Sequence, residues 1–220
     1  MRRDVLTSVL AMVVLTVLLG LVYPLVITGV SQVAFPGNAN GQKVYVKGRL
    51  VGSKIIGQAF VKPVLEKNGK PKEEEGEVVT EPDPRYFQSR PSATEGGAYN
   101  AAASTFSNRG PNDKATEEAD SESIKAYLEL EKPYDPGLTT AQTPVDAVNT
   151  SASNLDPEIS PANARIQAHR VAVKRGLSLA AVDGLVAKYT DSRGLGFSGE
   201  PGVNVLELNL ALDRLTGGKS

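Results

Sequence analysis

The chain has 220 residues, a formal net charge of −1, 40% hydrophobic and 22% charged residues, no cysteine and one histidine, His169. That length suits one membrane anchor and one modest domain. The balanced charge leaves no basic field for nucleic acid. The missing cysteines exclude disulfides, thiolate nucleophiles and cysteine metal sites, and a lone histidine excludes a His-rich metal cluster.

No charged residue lies between Asp4 and Lys43, and Val5 to Ile27 is built mainly from Leu, Val and Ile. As a helix this run measures roughly 35 Å, enough to cross a hydrocarbon core of about 30 Å. About fifteen Leu, Val and Ile residues make its insertion favourable. Gly20 and Pro24 permit a local bend, and Tyr23 and Phe35 suit an interface. The run exceeds a signal-peptide core, and its only small-x-small site, Gly37 to Ala39, comes late beside Pro36. Arg2 and Arg3 place the N-terminus in the cytoplasm. Lys43, Lys47, Arg49 and Lys54 on the other flank are discounted, because long domains translocate largely regardless of charge. The expected layout is a cytoplasmic tail at 1–4, a transmembrane helix at 5–30, a linker at 31–43 and an extracytoplasmic soluble domain at 44–220.

Val44 to Ile56, broken by Gly48 and Gly52, predicts a small hairpin or meander. Residues 61–84 combine Lys62, Lys67, Lys70 and Lys72 with Glu73-Glu74-Glu75, Glu77, Glu81 and several prolines, which predicts a solvated, mobile loop rather than a cation-binding tract. A helix is expected after Thr116 as N-cap, with Ile124, Tyr127 and Leu128 on one side. Pro133 to Pro161 reads as a long surface loop. Ser160-Pro161 starts a helix that Gly176 ends, with Ile166, Ala172 and Val173 on its apolar side. Ser178 caps a second helix, and Asn204 a third carrying Val205, Leu208, Leu212 and Leu215. Strands first and helices last predict an α+β domain.

Catalytic motifs are scarce. Gly194 to Gly199 spells G-x-G-x-x-G but follows a helix and meets Glu200-Pro201-Gly202, so it reads as a loop. The sequence holds no phosphate loop of the G-x-x-x-x-G-K-[ST] type, no H-E-x-x-H, no G-x-S-x-G and no Asp-Lys-Thr-Gly-Thr. His169, among Ile166, Ala168, Val171 and Ala172, reads as a packed histidine at the edge of the core. No catalytic and no metal-ligating residue is therefore assigned. The Tyr86 to Thr94 segment, followed by Tyr99-Asn100, is more specific. Pro91 holds Arg90 extended. The guanidinium either reaches carboxylates and carbonyls of a partner or holds its own loop. Arg90, Ser92, Tyr99 and Asn100 are the candidate docking residues.

Several segments, in order after one anchor, resemble the C subunits of the potassium-transporting Kdp ATPases, the KdpC family. They are Gly52 to Phe60, Tyr86 to Thr94, Tyr99-Asn100, Ser151 to Ser153 with Leu155-Asp156-Pro157 and Ile159-Ser160-Pro161, Gln167 with Arg170-Val171-Ala172 and Arg175, and Val203 to Asp213. The chain departs from the family where a glycine-bearing run reads Ser104-Thr105-Phe106-Ser107-Asn108, and where Ser-Gly-Leu-Asp reads Ser153-Asn154-Leu155-Asp156. Asparagine is the mildest replacement for a left-handed glycine. Residues 61–84 look like an insertion. The resemblance implies a non-enzymatic accessory subunit in a bacterial inner-membrane complex. Its expected partners are a channel-like potassium-translocating subunit, a P-type ATPase subunit and a small single-span peptide, and its expected role is to stabilise assembly; with the domain outside, as the charge argument has it, a cap over the extracellular potassium entrance is the simpler physical role. The resemblance also implies an alternative, a chaperone that raises ATP binding by the catalytic subunit. Gln167 would then be a nucleotide contact, with the Ser104–Asn108 loop also near ATP, no cofactor held firmly by this chain and ATP reached only through the catalytic subunit.

Overall fold

The computed structural model describes residues 1–105, 110, 112–194 and 196–217. Two compact units divide between Ser53 and Lys54.

The first unit opens with α1 (Arg2–Val17), a π-helical turn (Leu18–Val22) and α2 (Tyr23–Ala34), which run as one continuous helix. Its mean hydropathy reaches 2.7 and no residue of its apolar window is buried within the protein, so by length and composition it can cross a membrane. A π turn occupies the stretch where Gly20 and Pro24 were expected to permit a bend, and Pro24 has no N–H to continue the ladder. Pro36 drives Phe35 out of the helical region, to φ −138° and ψ 52°, and so ends the span. A short α3 (Pro36–Ala39) leads into a hairpin of β1 (Lys43–Val46) and β2 (Arg49–Ser53), turned by Lys47 and Gly48 at positive φ. The hairpin expected after the linker is thus present, but Ile55 and Ile56 lie beyond it.

The second unit opens with strands where a mobile loop was expected. Residues 61–84 contain nested strand pairs, β3 (Val61–Pro63) with β6 (Thr80–Pro82) and β4 (Glu73–Glu74) with β5 (Glu77–Val78). Glu75 and Gly76 reverse the inner pair at φ 53° and 85°. The charges that suggested a solvated loop pair along and across these strands. Lys62 sits opposite Glu81 and bridges it at 2.9 Å, and Lys72 bridges Glu74 at 2.6 Å.

Helix α4 (Lys114–Glu131) begins one turn earlier than expected. Asp113, not Thr116, is the N-cap, its Oδ1 accepting the Ala115 N–H at 2.8 Å. Tyr127 is buried, and Ile124 and Leu128 are half-buried. The supposed surface loop at 133–161 buries Leu138 and contains a 3₁₀ turn at Thr140–Gln142, the single-turn α5 (Val145–Val148) and β7 (Glu158–Ile159).

The last third follows its punctuation. Ser160 caps α6 (Pro161–Arg175), and Gly176 ends it at φ 65°. Ser178 caps α7 (Leu179–Lys188), and Asn204 caps α8 (Val205–Leu215). Between the last two lie β8 (Thr190–Asp191) and β9 (Gly202–Asn204), and β9 is the centre of an antiparallel β7-β9-β8 sheet. The core gathers Phe87, Ile159, Ala164, Ala168, Val171, Val182, Val186, Val203, Val205, Leu208 and Leu212. Val173 and Leu215 are exposed instead of buried, and Ile166 is only half-buried. α6 turns a different face inward, one that carries Asn163, Gln167 and Arg170 alongside its alanines.

Candidate functional site

The stretch from Asp83 to Arg90 belongs to no sheet, yet Phe87 within it is completely buried. The Tyr86 N–H returns to the Asp83 carbonyl in a turn, and the backbone around it and beyond needs further partners for its N–H and C=O groups. Side chains supply them. Asn209 of α8 accepts the Phe87 N–H at 2.9 Å and donates to the Phe87 carbonyl at 2.9 Å. Gln167 of α6 does the same for Gln88, at 2.7 and 3.1 Å. Each amide thus replaces one residue of a neighbouring strand.

Arg170 completes the clamp. Its Nη1 donates to the carbonyls of Pro84 and Tyr86 at 2.7 and 2.8 Å, its Nη2 to Gln167 Oε1 at 2.9 Å and its Nε to Glu131 Oε1 at 2.9 Å. Both members of the Arg170–Glu131 pair are buried, at 0% and 1% exposure. Burial pushes the Glu131 carboxyl above its usual range, against the pull of Arg170. Asn163 links the clamp to α4 and α5, accepting from Gln167 Nε2 and Tyr127 Oη and donating to Asp146. Arg175 donates from Nε to the Arg85 carbonyl at 2.7 Å, pairs with Asp213 and lies 4.4 Å from the Tyr86 ring centroid. Phe60 also stacks on the Tyr86 ring, with centroids 5.5 Å apart.

The clamped segment leads directly into the predicted docking residues. Arg90 Nη1 meets Asp156 Oδ2 at 3.2 Å, and its Nη2 meets the Thr150 carbonyl at 3.2 Å. Ser92 donates to the Asn154 carbonyl at 2.8 Å and accepts the Tyr99 N–H at 2.9 Å. Tyr99 returns its hydroxyl to the Arg90 carbonyl, and burial raises that phenol to about 12. Asn100 donates from its backbone to Thr94 Oγ1 and from its side chain to the Glu95 carbonyl. The structure brings these four together as the internal frame of one loop, whose tip, Glu95 to Ala98, is exposed. Gly57 belongs to the same frame, because a Cβ there would collide with the Tyr99 ring and the Asp156 carbonyl.

Asn154 adopts φ 58°, the left-handed conformation anticipated for a glycine position. Its side chain adds bonds that glycine lacks, accepting the Ala93 N–H and donating to the Thr105 carbonyl. Ser104 reaches the Ser153 carbonyl. Phe106, Ser107 and Asn108 lie outside the described residues.

Gln167, the sequence-derived nucleotide candidate, is 1% exposed, and both ends of its amide are engaged within the clamp. His169 is half-buried on α6. Gly194 and Ser198 close a tight turn with reciprocal backbone hydrogen bonds of 2.8 Å, and a strand rather than a helix follows; Leu195 is outside the described residues. Among the described residues no group of three or more His, Cys, Asp or Glu could hold a metal. Sequence reasoning missed Asn163, Glu131 and Asn209. Asn163 left a trace, because it stands with Gln167 and Arg170 at four- and three-residue steps on α6 and so mimics a solvent face, whereas Glu131 on α4 and Asn209 on α8 left none.

Residues 5–214 match the family described as "KdpC: K+-transporting ATPase, c chain". This chain belongs to the KdpC family. A protein of Methylococcus capsulatus named potassium-transporting ATPase KdpC subunit is 45% identical over 208 residues, covering 94% of this chain and 96% of that one. Its namesake in Koribacter versatilis is 44% identical, covering 97% and 95%, and that of Mycobacterium tuberculosis 43%, covering 98% and 100%. The matches take in both units, so the transmembrane helix and the clamped domain are both parts of a KdpC protein.

Proposed function

We propose that this chain is a non-enzymatic accessory subunit of an ATP-driven potassium uptake complex in a bacterial plasma membrane. In this reading the N-terminus is cytoplasmic and the α+β domain extracytoplasmic. The domain stabilises assembly and caps the potassium entrance of a channel-like subunit. The P-type ATPase subunit and a small single-span peptide complete the complex.

The observation that carries this reading is the clamp. Two helices commit buried amides and a buried arginine to one segment outside any sheet, and so fix the Arg90–Asn100 loop that it feeds. That expense of polar groups suits presentation of a rigid surface, since prior ordering reduces the entropy lost on docking. Arg90, Ser92, Tyr99 and Asn100 then act by shaping the loop, and the exposed tip makes the contact.

The alternative, in which Gln167 contacts ATP, requires the amide to leave Gln88, Asn163 and Arg170. That exchange would strand buried polar groups. Co-purification of tagged full-length chain with the other subunits tests the proposal. Glu95→Arg, on the exposed tip, and Arg90→Ala, in the frame, should both reduce recovery of the complex, Glu95→Arg without loss of folding. Full recovery with both substitutions would remove the loop from the interface.

A further inference from the structure

The π turn lies at the middle of the transmembrane helix, and it has a consequence for the lipid phase. The Tyr23 N–H reaches back to the Leu18 carbonyl, one residue further than an α-helical bond. Pro24 has no N–H. The donor that should follow is therefore missing, whether it would have served Leu19 in π register or Gly20 in α register. A hydroxyl on a helix can return to a carbonyl three or four residues earlier. Thr7 and Ser8 do so, to Arg3 and Asp4. The positions that could serve Leu19 or Gly20 this way hold Val22, Tyr23 and Pro24, none of which has a hydroxyl within reach on that side of the helix. Hydrocarbon supplies no donor either, so an unmet carbonyl there is costly.

The same turn reorders the helix faces. Each α-helical residue rotates the chain by about 100°, so Thr16 and Thr28 would stand about 120° apart in a regular helix. The extra residue of the π turn takes about 100° back. The two hydroxyls are then within about 20° of one face, with Gly20 between them. At Gly20 a Cβ would meet nothing within 4 Å, so the backbone is open to close approach. No residue of α1, the π turn or α2 is buried within this chain.

We infer that Thr16, the Leu19–Gly20 carbonyls and Thr28 form a polar seam that receives a transmembrane helix of another subunit, one that presents hydroxyl or amide donors at the level of Gly20. Close approach at a glycine together with interhelical hydrogen bonds is the usual chemistry of helix association in lipid. The inference rests on the accessory-subunit reading and adds the face, the depth and the donor chemistry of the contact.

The test uses full-length chain co-expressed with the other subunits and carrying one photo-crosslinking residue at Thr16, Gly20, Thr28, Val14 or Val26. The seam predicts adducts with a membrane-spanning partner from Thr16, Gly20 and Thr28, and none from Val14 or Val26, which lie about 200° from the two threonines. Pro24→Ala restores the missing donor. It should lower retention in the complex about threefold, the effect of one average interhelical hydrogen bond, and turn Thr28 out of the contact while Thr16 stays. Adducts from Val14 and Val26, adducts only between two copies of this chain, absence of adducts, or an unchanged pattern and retention in Pro24→Ala would each overturn the seam. If the unmodified chain fails to co-purify, the accessory-subunit reading fails; if it co-purifies and the pattern is wrong, the seam alone fails.

Discussion

Replacing Gln167 by leucine separates the structural role of this residue from a nucleotide-binding one. The substitution removes the partners of the Gln88 N–H and C=O at once, while Asn163 keeps Tyr127 and Arg170 keeps Glu131, Pro84 and Tyr86. Each stranded backbone group costs about 1–3 kcal/mol, so the loss is about 2–6 kcal/mol, a large share of the roughly 5–15 kcal/mol that holds a domain together. Urea unfolding of the full chain in detergent, followed by tyrosine fluorescence, should show the midpoint fall by roughly 1–3 M for a loss of about 3 kcal/mol. Gln167→Glu keeps an acceptor for the Gln88 N–H and for Arg170 but loses the donor to both the Gln88 carbonyl and Asn163 Oδ1, so it should destabilise as well. A midpoint shift worth less than about 1 kcal/mol, combined with a raised KM for ATP in the assembled complex, would refute the clamp and restore the nucleotide contact.

Three further outcomes follow from the same geometry. Glu131→Leu and Arg170→Met should each cost about 3–5 kcal/mol, and the double substitution clearly less than their sum, although it still strands the Pro84 and Tyr86 carbonyls; additive losses in a double-mutant cycle would deny the pairing. Asn154→Gly should be milder than Asn154→Ala in thermal unfolding, because alanine loses the Ala93 and Thr105 bonds and also strains the backbone at φ 58°; equal costs would show that the left-handed conformation is unimportant. Burial pushes the Asp83 carboxyl up, but hydrogen bonds from Arg85 outweigh it and hold the group below its usual range. Its stabilising contribution is therefore complete above the ordinary aspartate pKa of about 4 and is lost as pH falls through the lower folded value. Asp83→Asn should flatten that acid limb of the stability profile, and an unchanged limb would contradict the assignment.

The parts legible in the sequence were those that local chemistry dictates. Ser160-Pro161 and Gly176 bound α6, Ser178 and Asn204 open α7 and α8, and the uncharged run beyond Asp4 makes the span. The hairpins at 61–84 were hidden by their charges, although Asn68-Gly69 and Glu75-Gly76 are turn dipeptides with both glycines at positive φ. A lysine and a glutamate facing each other across strands look the same in sequence as two solvated charges. The clamp was hidden for a different reason. Gln167 and Gln88 are far apart in the chain, and no periodicity encodes a side-chain amide that stands in for a strand. Its polar positions on α6 also borrow the spacing of an exposed face, and this displaced the expected apolar side onto Val173.

The location of the domain decides between capping the potassium entrance and touching cytosolic ATP. The chain has no cysteine, so Ser220→Cys introduces a single thiol. Intact cells carrying this variant should react with an impermeant thiol reagent, which places the domain outside. Labelling that occurs only after lysis would put the domain in the cytoplasm and contradict the proposed cap.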